Sequence, residues 1–268
     1  MGRIGRKYEI TNIGNVSFAG AHRIRALVDL PKHNVRAGDF GGFIAGEHNL
    51  SQHGESWVDD NAVVIDNGRV TDDAYAGDYA TLIGCASLMN DARAVGHTVM
   101  RGKARAHGHA QLSGMSLVCD NAQFFDHARV HGNAIVGGNV TMHGSSQAHM
   151  NALISGDAQL RSHTVVGLGA DITRPEHVLH TVIHVFEPCE VTLYRTATGT
   201  HLTVGQWEYT LGEFRSMIEA GEFVGAGPET VKRRTPELLA FIAMCEARVA
   251  DWRDTSHPTC VGAESTYV

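Results

Sequence analysis

Seventeen of the 268 residues are histidine, an excess that makes them the first place to look for chemistry. Several recur at intervals of eighteen: His109 with His127, His131 with His149, and His107 with Phe125 and His143. Imidazole gains or loses a proton near neutrality, so histidines in register can serve as a general base, bind a metal or face an anion. His107, His109, His127 and His131 are the candidate catalytic residues. Arg101, Lys103 and Arg105 run directly into His107 and His109, and Arg129 stands between His127 and His131. Together with His149 these nine residues form the candidate binding set for a small anion, because guanidinium and ammonium groups pair with phosphate or carboxylate oxygens. The competing reading is a tolerated polar decoration of a sheet face, or packing at a subunit boundary. Metal binding is the weakest of the uses, and no metal is assigned. No Ser-His-Asp spacing, P-loop or GxGxxG in a strand-to-helix context occurs.

A repeat imposes this register. From residue 57 to residue 170 the chain divides into nineteen hexapeptides without insertion or deletion: WVDDNA, VVIDNG, RVTDDA and so on to VVGLGA. The second position is apolar in all nineteen. The sixth is small in all but one, Val140, and the fourth is Gly, Asp or Asn in sixteen. An apolar residue every six positions cannot make a helix stripe, which needs spacings of three and four. Each unit reads instead as a short strand and a turn. The bend falls at the fourth position, where Gly, Asn and Asp tolerate positive φ. Three units close a coil, and coils stack at about 4.8 Å. A little over six coils make a prism roughly 30 Å tall, with side chains eighteen residues apart one above the other. Proline would remove ladder donors, and none occurs between Pro31 and Pro175. Propellers and leucine-rich repeats need longer periods. The expected fold class is mainly β: a parallel β-helix of about six coils with a small C-terminal α+β region.

The units resemble the hexapeptide repeat of the left-handed β-helix, shared by many acyltransferases that use CoA or acyl carrier protein and assemble as homotrimers. The left hand is implied by the resemblance alone. The motif departs from the acyltransferase pattern, which favours a small or acidic residue directly after the aliphatic one. Here Gly or Asp falls two places after it, as in Val130-His131-Gly132. The N-terminal segment is similar to that of phage and prophage hexapeptide proteins often labelled acyltransferases: Leu27-Val28-Asp29-Leu30-Pro31, then Gly38-Asp39-Phe40-Gly41-Gly42-Phe43-Ile44, Asn49-Leu50-Ser51 and Trp57-Val58. The resemblance covers about residues 25–170. It implies a homotrimer acting in the cytoplasm of a bacterial host cell.

Outside the repeat, residues 1–56 read as a β cap with strands at 8–11, 24–30 and 40–44, covering an otherwise open strand edge. Residues 171–253 read as an α+β region: β-rich stretches at 178–186 and 190–204, with a hairpin at Thr198-Gly199-Thr200. A capping box, Thr210-Leu211-Gly212-Glu213, opens a helix that stops at Gly221. A second helix is expected to start at Thr235-Pro236-Glu237, with Leu238, Ile242, Cys245 and Val249 on its apolar face. Residues 254–268 read as a disordered tail.

Net charge is −7, which argues against nucleic acid as partner. No apolar run of membrane-spanning length occurs. The N-terminus matches neither a signal peptide nor the myristoylation pattern. Five cysteines with no CxxC read as reduced thiols of a cytosolic protein.

Three functions compete. The first is a non-catalytic trimeric binder of a small anionic ligand, with no cofactor, sequestering a nucleotide-like or phosphorylated host defence metabolite. The second is a CoA-dependent acyltransferase with acyl-CoA as cofactor and a coil-face His as general base. The third is a structural or assembly protein. Acyltransferases of this fold often carry a loop projecting from the coils, and these nineteen units have none, which tilts the balance toward binding.

Overall fold

The computed structural model describes residues 5–185, 187–223 and 225–252; the segment 254–268, expected to be disordered, lies outside the described residues. The hexapeptide period is carried directly into the backbone. Twenty two-residue strands, β4 (Trp57–Val58) to β23 (Asp171–Ile172), begin every six residues. The second residue of each unit points inward, and Val58, Leu82, Met100, Leu112 and Phe124 have no exposed surface. The sixth, mostly Ala, is buried at the inside corner beside it. The fourth residue adopts a left-handed φ of 50 to 73° in eighteen of the nineteen units. For a side chain other than Gly this conformation costs about 1–2 kcal/mol. Asp recovers part of that cost, because its carboxylate accepts the amide of the residue one coil on. Gly96 N donates to Asp78 Oδ2 at 2.7 Å, Gly138 N to Asp120 Oδ2 at 2.8 Å, and Gly144 N to Asp126 Oδ2 at 3.0 Å. Met150 (φ 54) and Ser162 (φ 53) take the same bend without that help, held to it by the coils on either side. At Leu168 the bend slips one residue to Gly169 (φ 64).

Strands pair in parallel with partners eighteen residues away, as in Arg93↔Gln111 and Leu117↔Ile135. This builds a prism with three faces. The first face holds the strands beginning at 57, 75 and 93 onward, the second those at 63, 81 and 99 onward, and the third those at 69, 87 and 105 onward; the sheets have seven, ten and six strands. The stack has about seven turns, one more than the repeat alone predicts, because coiling starts before Trp57. Strand β3 (Phe40–Ile44) pairs in parallel with Val63 and Val64, and Leu50 bridges Val70. Gly41 and Gly42 permit this irregular first rung: a Cβ on them would lie 2.4 Å from Val58 O and 2.5 Å from Ala62 O.

The hairpin of β1 (Tyr8–Gly14) and β2 (His22–Ala26) adds antiparallel strands to the second face beyond β3, covering its edge. The expected strand over 24–30 ends at Ala26, because Leu30 and Val35 close a bridge around a 3-10 turn at Pro31–His33. Buried Lys7 ties this cap to the first coil, donating to Ser56 O (2.7 Å) and Oγ (3.0 Å). Burial pushes its amine pKa down to about 8.

The C-terminal region is an antiparallel meander, β24 (Val178–His184), β25 (Pro188–Thr196), β26 (Gly199–Val204) and β27 (Trp207–Tyr209), covered by α1 (Leu211–Glu219) and α2 (Pro228–Ala250). The capping box forms as expected: Glu213 N donates to Thr210 Oγ1 (3.2 Å) and Thr210 N to Glu213 Oε2 (2.7 Å). The expected start of α2 is corrected. The helix begins at Pro228 and contains Pro236. Both prolines carry a start signal, but Val231 and Leu238, on either side of Pro236, pack into one core with Phe214, Ile218 and Ile242. That packing carries the helix through the missing N–H. The region docks on the last coil through an Ala170–Thr196 bridge and through Arg195, whose guanidinium donates to Asp171 O (2.9 Å) and Oδ2 (3.2 Å). No described helix is long and apolar enough to cross a membrane.

Candidate functional site

At each corner of the prism the bend at position four leaves the third and fifth side chains standing side by side. Successive copies stack one coil apart. At the corner from third to first face, the third-position column contains His107, Phe125, His143 and Arg161, and the fifth-position column contains Asp91, His109, His127, Ser145 and His163. The rings stack face to face. His107 lies 5.2 Å from Phe125, Phe125 5.0 Å from His143, and His109 5.0 Å from His127, with interplanar angles of 3–7°. Coil spacing sets this separation, and it falls in the range where aromatic rings attract.

The two ends of this double column differ. At the lower end, Lys32 reaches over from the N-terminal segment and pairs with Asp73 (2.9 Å) and Asp91. Its pKa is raised by Asp91 and then Asp73, while Asp73 is held low by the Glu55 amide and then by Lys32. His109 Nδ1 stands 3.8 Å from Asp91 Oδ2. At the upper end the fifth-position column loses its ring at Ser145, and His163 one coil above turns toward Glu190 (3.7 Å). The backbones bearing His127 and His163 are two rungs apart, about 9.6 Å. Ser145, which bears no ring, stands between them in the column. Arg161, one coil above His143, donates to Gln159 Oε1 on the third face, and Arg129, on the first face, bears on His131. Among the described residues no hydrogen bond fixes a ring nitrogen of His107, His109, His127 or His143.

The rest of the sequence-derived set lies elsewhere. Arg101 and Lys103 sit at the corner from second to third face, Arg105 on the third face, and His131 and His149 at the corner from first to second face. The run 101–109 is continuous in sequence but crosses a whole face, because a period of six turns the chain by a third of a coil. His131 and His149 stack at 5.3 Å. Burial lowers the pKa of both, with Arg129 adding to the effect at His131 and His131 at His149. Gly167 continues their column because a Cβ there would lie 2.5 Å from the His149 ring.

Lys32, Ser145 and Arg161 escaped the sequence reading. Lys32 is brought in by the cap and has no periodic signal; Ser145 and Arg161 are legible only when whole columns are written out. A second polar cluster also went unseen. His180 Nε2 lies 2.9 Å from Glu190 Oε2, and its Nδ1 lies 3.2 Å from Thr192 Oγ1. This has the order hydroxyl, imidazole, carboxylate of a nucleophilic triad. Yet Thr192 is buried, and its Oγ1 accepts the Val165 amide. The group therefore acts as a strut between the C-terminal sheet and the last coil. Among the described residues no cluster of three or more His, Cys, Asp or Glu side chains could hold a metal ion.

No family profile matches the chain, and no curated protein matches it. The functional reading therefore rests on the geometry of this corner.

Proposed function

We propose that the chain is a non-catalytic small-molecule-binding protein. Its third-to-first corner takes a planar, anionic ligand of nucleotide-like character. The observation that carries this reading is the interrupted double stack: His109 on His127 and Phe125 on His143, each at 5.0 Å, a break of one ring at Ser145, and Arg161 one coil above His143 in the adjoining column. A base stacked on aromatic side chains gains about 1–3 kcal/mol, and a guanidinium offers paired donors to a phosphate. The unfixed ring nitrogens favour recognition over proton transfer, which requires a base held in one orientation. The resemblance to phage hexapeptide proteins gives such a binder a role, the sequestering of a nucleotide-like or phosphorylated host metabolite.

Calorimetry with purified chain and a panel of mono-, di- and cyclic nucleotides tests this. Binding is expected, and Ser145→Trp, which fills that break, is expected to abolish it while leaving the circular dichroism spectrum unchanged. Failure of every nucleotide to bind, or wild-type affinity in Ser145→Trp, overturns the reading. A second reading, acyl transfer from CoA with His109 as base, is favoured by one observation, the Asp91 carboxylate 3.8 Å from Nδ1. It predicts acetyl-CoA turnover that disappears in His109→Ala.

A further inference from the structure

The C-terminal region contains an open cavity of about 200 Å³ that shares no residue with the corner described above. The entry to β25, the turn from β26 into β27 and the chain after α1 border it, and its lining includes three aromatic rings, Trp207, Tyr209 and Phe223. Tyr209 and Phe223 both lean on buried Phe214, with ring centroids 5.8 and 6.4 Å away, so the core of the region holds these two rings in place. Trp207 is different. It follows a tight turn whose backbone bends at Gly205 (φ 59), it pairs across that turn with Val204, and it is 47% exposed. A half-exposed indole beside a cavity keeps a large apolar surface that an occupant would cover.

The charge around the cavity has one sign. Glu187 lines it, and Glu222 stands next to Phe223 at its border. Both residues are exposed, and among the described residues neither carboxylate makes an ion pair or a hydrogen bond. No Lys, Arg or His is among the lining residues. Aromatic faces are the negative part of the ring quadrupole, so rings and a carboxylate together draw a cation. Size and donor count narrow its class. The volume lies below the roughly 300–1,000 Å³ of pockets that take drug-sized ligands, so one compact group fills it. A primary ammonium brings three N–H donors and a tight hydration shell, and aromatic walls leave those donors unmet at a cost in free energy. A quaternary ammonium has no donor to satisfy and packs its methyl groups against rings as an apolar body.

We propose that this cavity binds a small quaternary ammonium compound of about the size of choline, seated among Trp207, Tyr209 and Phe223 with Glu187 as counter-ion. The site takes a ligand of opposite charge to that of the third-to-first corner and does not depend on the reading given there.

Calorimetric titration of the full chain with choline tests the proposal, alongside dimethylbutanol, the neutral isostere in which carbon replaces the nitrogen. Choline is expected to saturate one site per chain, and the alcohol to bind about tenfold more weakly or worse. Trp207→Ala is expected to weaken choline binding about tenfold with an unchanged circular dichroism spectrum. Glu187→Gln keeps the shape and removes the charge; it is expected to weaken choline about threefold and, being an exposed change, it decides the matter should Trp207→Ala misfold. Ser145→Trp, at the corner, leaves choline binding at wild-type strength. Equal affinity for choline and the alcohol overturns the proposal, since the cavity would then be an apolar recess only. So does the absence of a saturable site for choline, or choline binding undiminished in both Trp207→Ala and Glu187→Gln.

Discussion

The solenoid and the C-terminal region solve the same packing problem in different ways. In the solenoid every coil repeats one solution: an aliphatic residue and a small corner residue inside, a left-handed bend outside, and amides passed to the coil eighteen residues away. No single coil is special, and stability is shared between neighbours. The C-terminal region relies on single-copy contacts: the Arg195–Asp171 pair, the His180–Glu190–Thr192 strut, and His177. His177 has no exposed surface, takes the Thr173 amide on Nδ1 (3.2 Å) and packs edge-on to Trp252 at 6.0 Å. Periodic structure tolerates local exceptions such as Met150; a lock made once does not.

The largest test of this contrast is in the cores. Phe124→Ala, in the middle of the stack, is expected to cost about 3–5 kcal/mol, seen as a lower urea midpoint for the whole solenoid. Phe214→Ala costs a similar amount, but its loss is confined to the C-terminal region, with the coil signal melting at its wild-type midpoint. A single shared transition for both variants would dissolve the distinction.

Acid provides the next test. Burial, and after it Arg195 and Arg174, push the His177 pKa down to about 4. The unfolded chain therefore takes up this proton first. Stability is full above the ordinary value near 6.5 and falls as pH drops from there toward 4, by about 3 kcal/mol. Thermal melts between pH 7 and 4 should show this loss in the C-terminal transition, and His177→Gln should flatten the pH dependence. A wild-type slope in that variant would assign the acid sensitivity to other groups.

Smaller effects probe the bends. Met150→Gly removes a side chain from a left-handed position and is expected to stabilise by about 1 kcal/mol. Gly132→Ala, one coil below, should do the reverse, since its φ is 70° and a Cβ would lie 2.8 Å from Met150 N. Equal and neutral melts for the two would show that the bends are not strained. In the C-terminal region Thr210→Ala dismantles the capping box of α1 and is expected to cost about 1 kcal/mol in the same chemical melts.

The solenoid was legible because its rule is local and repeated. The bend at position four was read from Gly, Asp and Asn, and the backbone obeys it even where Met150 and Ser162 gave no signal. The stacking of His109 on His127 and of His131 on His149 followed from a spacing of eighteen. The start of α2 was misread because Pro236 looks locally like a first helical residue, and only the core shared by Val231 and Leu238 overrules it. The nine-residue anion set is divided among corners and faces for a related reason: neighbours along the chain, such as Lys103 and His109, stand at different corners.

Periodicity in this sequence thus determined which residues face inward, where the chain bends and which side chains align in columns, since each follows from contacts six or eighteen residues apart. Only the tertiary structure decided what other segments bring to the columns: that Lys32 neutralises the lower end of the histidine stack, that His163 turns toward Glu190, and that the β1–β2 hairpin extends the second face. Each of these joins a coil to a segment outside the repeat, at a separation that no period along the chain encodes.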